Sequence, residues 1–192
     1  MRQIFRKEFQ SDPSVQTDVF RLVNHSHAAG SELPNYAVVR DGSADRGAVG
    51  FSLVVVPLLL GEGLRGLLTV AEQLRADGGR LGTLLGHAGN RQDAEIEALA
   101  RVAAQFHPQL VVVKENEAHL RGRTPGEIPR ILHAALRAAG LPEAALPIRP
   151  SELEAVQCAL AWARRGDVLA LPVHSAAARA AVLELLGGGL AA

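Results

Sequence analysis

Cysteine, lysine and aromatic residues are nearly missing from this chain of 192 residues. Cys158 is the only cysteine, which excludes an internal disulfide and a cysteine metal cluster. It falls in an apolar helical pattern, which assigns it to packing rather than to nucleophilic chemistry. One Trp, one Tyr and five Phe are too few for a base-stacking surface. The 20 basic and 20 acidic residues cancel, so no global field recruits nucleic acid or an anionic membrane. The longest apolar run, Leu53–Leu60, is too short to span a bilayer. Arg2, Arg6, Lys7 and Glu8 interrupt the stretch where a signal peptide would be apolar. These absences lead to the expectation of a cytoplasmic protein that binds neither nucleic acid nor membrane. Lys7 and Lys114 are the only lysines, and neither follows a glycine. The Gly-Lys-Ser/Thr core of a phosphate-binding P-loop is therefore excluded from these residues.

What is present is alternation. Residues 1–50 read as an irregular N-terminal segment with one loose hairpin, from strand candidates at Val19–Val23 and Tyr36–Arg40. From 51 to 187 short apolar runs alternate with helical patterns, and 188–192 read as a flexible tail. The strand candidates are Leu53–Leu58, Leu81–Leu85, Leu110–Val113, Ala145–Ile148 and Val168–Val173. Helices are expected at Gly63–Arg75, Gln92–Gln105, Pro125–Ala139, Glu152–Arg164 and Ala176–Leu186. Ser151 and Glu154 have capping-box spacing, as do Thr124 and Glu127 around Pro125, and Gly140 and Gly166 sit at helix exits. Such alternation implies right-handed crossovers. The expected fold is a three-layer, Rossmann-like α/β domain with a mostly parallel sheet of about five or six strands.

In an open parallel sheet, ligands bind beyond the carboxyl ends of the strands. Four loops should share that rim: His87–Arg91, Lys114–Arg123, Arg149–Ser151 and His174-Ser175. The second loop holds Lys114, Glu115, Asn116, Glu117, His119, Arg121 and Arg123, too many charges for a plain connector. Arg121 and Arg123 flank Gly122, which lets both guanidiniums face one carboxylate or phosphate. Glu115 and Glu117 suit an ammonium or guanidinium group. Internal salt-bridging is the bland alternative and would add little stability. In the first loop Asn90 can cap a helix whose free N–H groups favour an anion, with Arg91 and His87 nearby. A capped turn needing glycines is the bland reading there.

Other patterns carry less. Gly61-Glu62-Gly63-Leu64-Arg65-Gly66 has dinucleotide-loop spacing, but no acidic residue ends the next strand at Leu85-Gly86. His25 and His27 lack further metal ligands close by, and Trp162 fits a packing position.

Gly89-Asn90-Arg91-Gln92-Asp93 resembles a Gly-Asp-Arg-x-Asp helix start of cyanophycin synthetases and Mur ligases. Val113-Lys114-Glu115, with Leu120-Arg121-Gly122-Arg123 and Pro125-Gly126-Glu127, is similar to their Lys-Glu…Leu-Arg-Gly-Arg…Gly-Glu block. Ser151–Val156, Ala161–Arg164 and Gly166-Asp167 resemble the closing helix and strand of their C-terminal domain. The resemblance spans roughly residues 80–186. It implies the C-terminal domain of a bacterial ATP-dependent carboxylate–amine ligase, in which an amine attacks an acyl phosphate. Lys114, Glu115, Arg121 and Arg123 would then bind an ionic amino-acid or peptide substrate. Asn90, Arg91 and His87 would lie near nucleotide or anion. ATP and Mg2+ are implied for a complete ligase, with no cofactor held by this chain alone. The partners implied are a separate P-loop ligase subunit and, for the chain itself, a homo-oligomer. The apolar Val54–Leu60 and the missing P-loop point to the alternative, a non-catalytic binding or assembly module derived from that domain.

Overall fold

The computed structural model describes residues 17–20, 37–41, 52–56, 61–115 and 119–188, with side chains over 62–115 and 119–182. Seven strands form one sheet: β1 (Thr17–Phe20), β2 (Ala37–Asp41), β3 (Ser52–Val56), β4 (Leu81–Leu85), β5 (Leu110–Lys114), β6 (Ile148–Arg149) and β7 (Val168–Pro172). Their order is β1-β2-β3-β7-β4-β5-β6. The strands β7, β4, β5 and β6 form a parallel core, and β3 joins β7 in parallel. The first two strands make the expected hairpin, and β2 runs antiparallel along β3. The sequence expectation of a three-layer, mostly parallel α/β fold holds.

Among the described residues five α-helices cover the sheet: α1 (Gly61–Leu74), α2 (Asp93–Ala104), α3 (Glu127–Ala138), α4 (Glu152–Trp162) and α5 (Ala176–Gly188). The alternation of a strand's side chains decides which helices each face meets. Leu81, Leu85, Val111, Val113, Val168 and Ala170 pack against α1, α2 and α3. Leu84, Leu110, Val112, Leu169 and Leu171 point the other way, into a second cluster with α4 and α5. Every residue of β4, β5 and β7 is buried, as strands covered on both faces must be. Helix α3 shows the matching period, burying Ile128, Leu132 and Leu136 on one stripe. Its Pro129 lies in the first turn, where no intrahelical N–H bond is lost. No helix among the described residues is long and apolar enough to cross a membrane.

Two local expectations are corrected, and a third pattern is settled against the reading it was least suited to. Residues Glu143–Ala145 form a 3-10 turn after Pro142, so the strand begins only at Ile148. Pro147 has no N–H to give a ladder, although its carbonyl accepts from Val113 N at 2.9 Å. Helix α3 starts at Glu127 rather than Pro125, because Gly126 takes a left-handed conformation at φ 79°. The Gly61–Gly66 series lies inside α1 and is not a phosphate-binding turn.

Candidate functional site

The rim is built around a buried charge. Lys114, the last residue of β5, is wholly inaccessible to solvent. Gly86, on neighbouring β4's exit, makes room for it: a Cβ there would lie 2.8 Å from Lys114 Cγ. The Nζ donates to Glu152 Oε1 and to Pro172 O at 2.6 Å, and lies 3.0 Å from His174 Nδ1. The same His174 Nδ1 lies 3.0 Å from Glu152 Oε1, so the imidazole meets both members of the ion pair. Glu152 opens α4, and its Oε1 also accepts from His174 N at 2.8 Å while Oε2 accepts from Ser175 N at 2.7 Å. Burial pushes the Glu152 carboxyl up, but the His174 hydrogen bond and the Lys114 charge outweigh it and hold the group well below its ordinary value. Burial pulls the Lys114 ammonium down, opposed by Glu152. Strand β5, helix α4 and the exit of β7 thus meet in one closed ionic cluster.

Glu152 does more than neutralise Lys114. Its carboxylate occupies the N–H groups that open α5, the place where a ligand anion would otherwise bind. The other helix starts are filled in the same way. Gln92 N donates to Glu95 Oε2 at 3.0 Å at the head of α2. Before α3, Thr124 N donates to Glu127 Oε2 at 3.0 Å and Gly126 N to Glu115 Oε2 at 2.6 Å. At α4, Glu154 N donates to Ser151 Oγ at 3.2 Å. The chain supplies its own acceptor at each of these four helix heads.

The loops after β4 and β5 are stitched together. Gly89 N donates to His119 O at 2.8 Å. Arg123 Nε donates to Gly89 O at 3.2 Å, and its Nη2 to Arg91 O at 2.5 Å. The same guanidinium pairs with Glu127 and Asp93, each at 2.7 Å. Gly89 is required by this approach, since a Cβ would meet Leu120 O at 1.8 Å.

These contacts sort the residues singled out from the sequence. Lys114, Glu115 and Arg123 turn inward and hold the loop's shape. Arg121 is exposed, at φ 51°, and makes no ion pair among the described residues. It does not share an anion with Arg123, whose fork is directed into the stitch. Arg91 pairs with Glu95 at 3.3 Å, and Asn90 is exposed. The N-cap of α2 is Gln92, not Asn90, because the turn continues two residues further before the helix begins. His87 is half-buried, its Nδ1 3.2 Å from Ala88 O, and burial lowers its pKa with Arg91 adding to the effect. Glu117 and Asn116, like His25 and His27, lie outside the described residues. Sequence reasoning missed Glu152 as the centre of the cluster, reading it only as the first residue of a capped helix. Among the described residues no group of three or more metal-ligating side chains occurs.

No family model matches the chain, and no curated protein matches it in sequence. Solved structures do. The structure of UDP-N-acetylmuramoyl-L-alanyl-D-glutamate–2,6-diaminopimelate ligase aligns with a TM-score of 0.53 at 15% identity. The alignment covers 73% of this chain and 26% of the ligase. The chain has the fold of the Mur ligase C-terminal domain. A domain assigned to a UDP-N-acetylmuramate:L-alanyl-γ-D-glutamyl-meso-diaminopimelate ligase from Haemophilus ducreyi is also similar, with a TM-score of 0.45 and 14% identity over 74% of this chain and 95% of that one. Lys114 ends β5 and Pro172 ends β7, which puts the cluster at the carboxyl edge of the sheet.

Proposed function

We propose that this chain acts as the substrate- and nucleotide-facing domain of an ATP-dependent carboxylate–amine ligase. The observation that carries the reading is the Lys114–Glu152–His174 cluster, a buried charge network at the edge where open α/β sheets meet ligands. The fold's likeness to a peptidoglycan-precursor ligase supports the same reaction class. In this reading Arg121 meets an ionic amino-acid or peptide substrate, while Lys114, Glu115 and Arg123 fix the loop that carries it. His87, Asn90 and Arg91 lie towards the nucleotide. ATP, Mg2+ and the P-loop belong to a separate ligase domain, because phosphoryl transfer depends on a cradle these residues lack. The chain alone is then expected to be inactive.

The self-capped helix heads favour a second reading, a binding or assembly module that keeps the fold without nucleotide contacts. One experiment separates the two. Where a P-loop ligase domain is encoded beside this chain, the two are combined, and complex formation and ATP-dependent amide synthesis are measured. Amide product that requires both proteins supports the ligase domain. A stable complex without product supports the module, and neither complex nor product overturns the ligase reading.

A further inference from the structure

One ring on the rim is tied at one nitrogen and open at the other. His174 Nδ1 lies 3.0 Å from both Glu152 Oε1 and Lys114 Nζ. Its Nε2 has no protein partner among the described residues. Every buried side-chain nitrogen and oxygen among them does have one, so Nε2 reaches solvent. The backbone behind the ring is pinned. Arg179 Nη1 donates to Val173 O at 3.0 Å and to His174 O at 2.7 Å, while His174 N and Ser175 N donate to Glu152. Strand β7 ends at Pro172, so the ring stands beyond the carboxyl ends of the strands, where open α/β sheets meet ligands.

The inner contact decides the ring's proton. An ionised Glu152 can only accept. A proton on Nδ1 makes a charge-assisted bond to Oε1, whereas a bare Nδ1 would set its lone pair against a charged oxygen. Lys114 does not depend on the ring, since Glu152 Oε1 and Pro172 O already accept from it. Burial pushes the Glu152 carboxyl up, and the bond from Nδ1 leads those that hold it down. Neutral His174 therefore carries its proton on Nδ1 and presents the Nε2 lone pair to solvent. The carboxylate that sets this tautomer is itself fixed, with Oε1 bonded to Lys114 Nζ and His174 N and Oε2 to Ser175 N. An imidazole oriented by a buried carboxylate, its other nitrogen free, is the arrangement of a general base.

We propose that His174 Nε2 is the proton acceptor for the incoming amine of the ligase reaction. The amine, R–NH2, donates an N–H to Nε2 and attacks the carbonyl carbon of an acyl phosphate made by the P-loop domain. As the C–N bond forms, the proton passes to Nε2, the C–O bond to phosphate breaks, and phosphate leaves with that electron pair. Glu152 is a positioning residue: it touches no substrate, but it aims the ring and steadies the imidazolium that forms. The amine end of the reaction then belongs to this chain, and the activated carboxylate to the other. That role rests on the ligase reading, whereas the seat for an amine N–H stands without it.

The seat is tested on the full chain alone and the role in the two-protein assay, so the two can fail separately. Long-range 1H–15N spectra at neutral pH, assigned through the backbone, should show neutral His174 protonated at Nδ1. Protonation at Nε2 overturns the proposal. Glycinamide, an amine without a carboxylate, is then titrated beside its N,N,N-trimethyl analogue, which keeps a positive charge but has no amine N–H. Glycinamide should shift the Nε2 resonance and the analogue should not. No shift with glycinamide, or an equal shift with the analogue, overturns the seat. In the two-protein assay His174→Ala should lower kcat by about 10²–10⁴-fold with little change in the KM for the amine, and added imidazole should restore part of the loss. An unchanged kcat, or a loss that imidazole does not relieve, overturns the role while the ligase reading stands. No amide from the wild-type pair overturns that reading and the role with it, and the spectra still judge the seat.

Discussion

At the amino ends of β4 and β7, Arg80 and Asp167 form a bidentate pair, with contacts of 3.1 and 2.5 Å. At the carboxyl ends of the same sheet, Lys114 and Glu152 form a second ion pair, through Nζ and a single carboxylate oxygen. The lower pair meets water only on the arginine side: Asp167 is buried and also receives Arg80 N and Arg164 N, while Arg80 is 32% exposed and stacks 3.9 Å over Trp162. All of its partners are local to the strand entrances, and it ties them like a clasp. The upper pair is sealed, and a third group, His174, joins it from the rim. A clasp that only stabilises can sit in water, where an arginine keeps most of its hydration. Burying a lysine completely is costly, and the cost is offset here by the Glu152 carboxylate and the Pro172 carbonyl, in a cluster that also fixes an imidazole. The difference locates function at the upper end.

Breaking the upper pair should have the largest effect. Lys114→Met leaves a buried carboxylate without its ammonium and should destabilise the domain by about 3–5 kcal/mol in urea unfolding. Lys114→Met with Glu152→Gln removes both charges and should recover much of that loss. A double variant as unstable as the single one would mean that the cluster's charges are not coupled.

Gly89→Ala tests the stitch between the two rim loops. The added methyl meets a backbone carbonyl, which no rotamer change relieves, so a loss of about 1–3 kcal/mol is expected in thermal or urea unfolding. A variant as stable as the parent would show that the loops are not held against each other.

The lower clasp should be cheaper to loosen. Asp167 is buried and accepts from Arg80 N, Nε and Nη2 and from Arg164 N, so Asp167→Asn keeps one acceptor oxygen but turns an NH2 towards two of those donors, and a loss of about 1–2 kcal/mol is expected. The same variant reads the acid limb. Glu152, Glu127 and Asp167 all have native carboxyl groups held below their ordinary values of 4.5, 4.5 and 3.8. Below those values the unfolded chain takes up protons that the native chain refuses. The contribution of these carboxylates should therefore be flat above about pH 5 and fall as the pH drops further, following a separate, earlier decline below the ordinary histidine value of 6.5 from His87, whose pKa burial also lowers. Asp167→Asn should flatten the lower part of that fall and leave the part due to Glu152. An acid limb unchanged in the variant would remove Asp167 from the account.

The sheet was legible because its strands are continuous β-branched and leucine runs, and β4 falls on the expected Leu81–Leu85. The edge strand was not, because Pro142 and Pro147 break the backbone pattern inside an apolar segment. The rim was legible as a place and less so as chemistry. Sequence order marks Lys114 as the start of a charged loop, yet its burial depends on Gly86, distant in the sequence and brought beside it only by the sheet. Glu152 looked like an ordinary acidic residue in a first helical turn, favoured there by the helix dipole. Only the arrival of β7 between β3 and β4 brings His174 and Ser175 onto it. Arg123 was read as a ligand group because composition cannot tell a guanidinium turned outward from one bonded to Gly89 and Arg91 carbonyls.

The smallest expected effect concerns Arg121, the exposed neighbour of that stitch. It holds φ 51° next to Gly122 at φ 93°, two successive left-handed residues of which only one is a glycine. A left-handed conformation costs an L-residue about 1–2 kcal/mol, and glycine recovers it at an entropic cost of about half that. Arg121→Gly should therefore stabilise the domain slightly, by less than about 1 kcal/mol, whereas Arg121→Ala should change stability by less than about 0.5 kcal/mol. Neither substitution removes an ion pair among the described residues, so stability gives no reason for an arginine at this position. If Arg121→Gly destabilises the fold, the side chain is a structural prop, and the contrast with Arg123 disappears. If it stabilises the fold while weakening the ligase partnership, strain at the rim is held for what the guanidinium meets outside the chain.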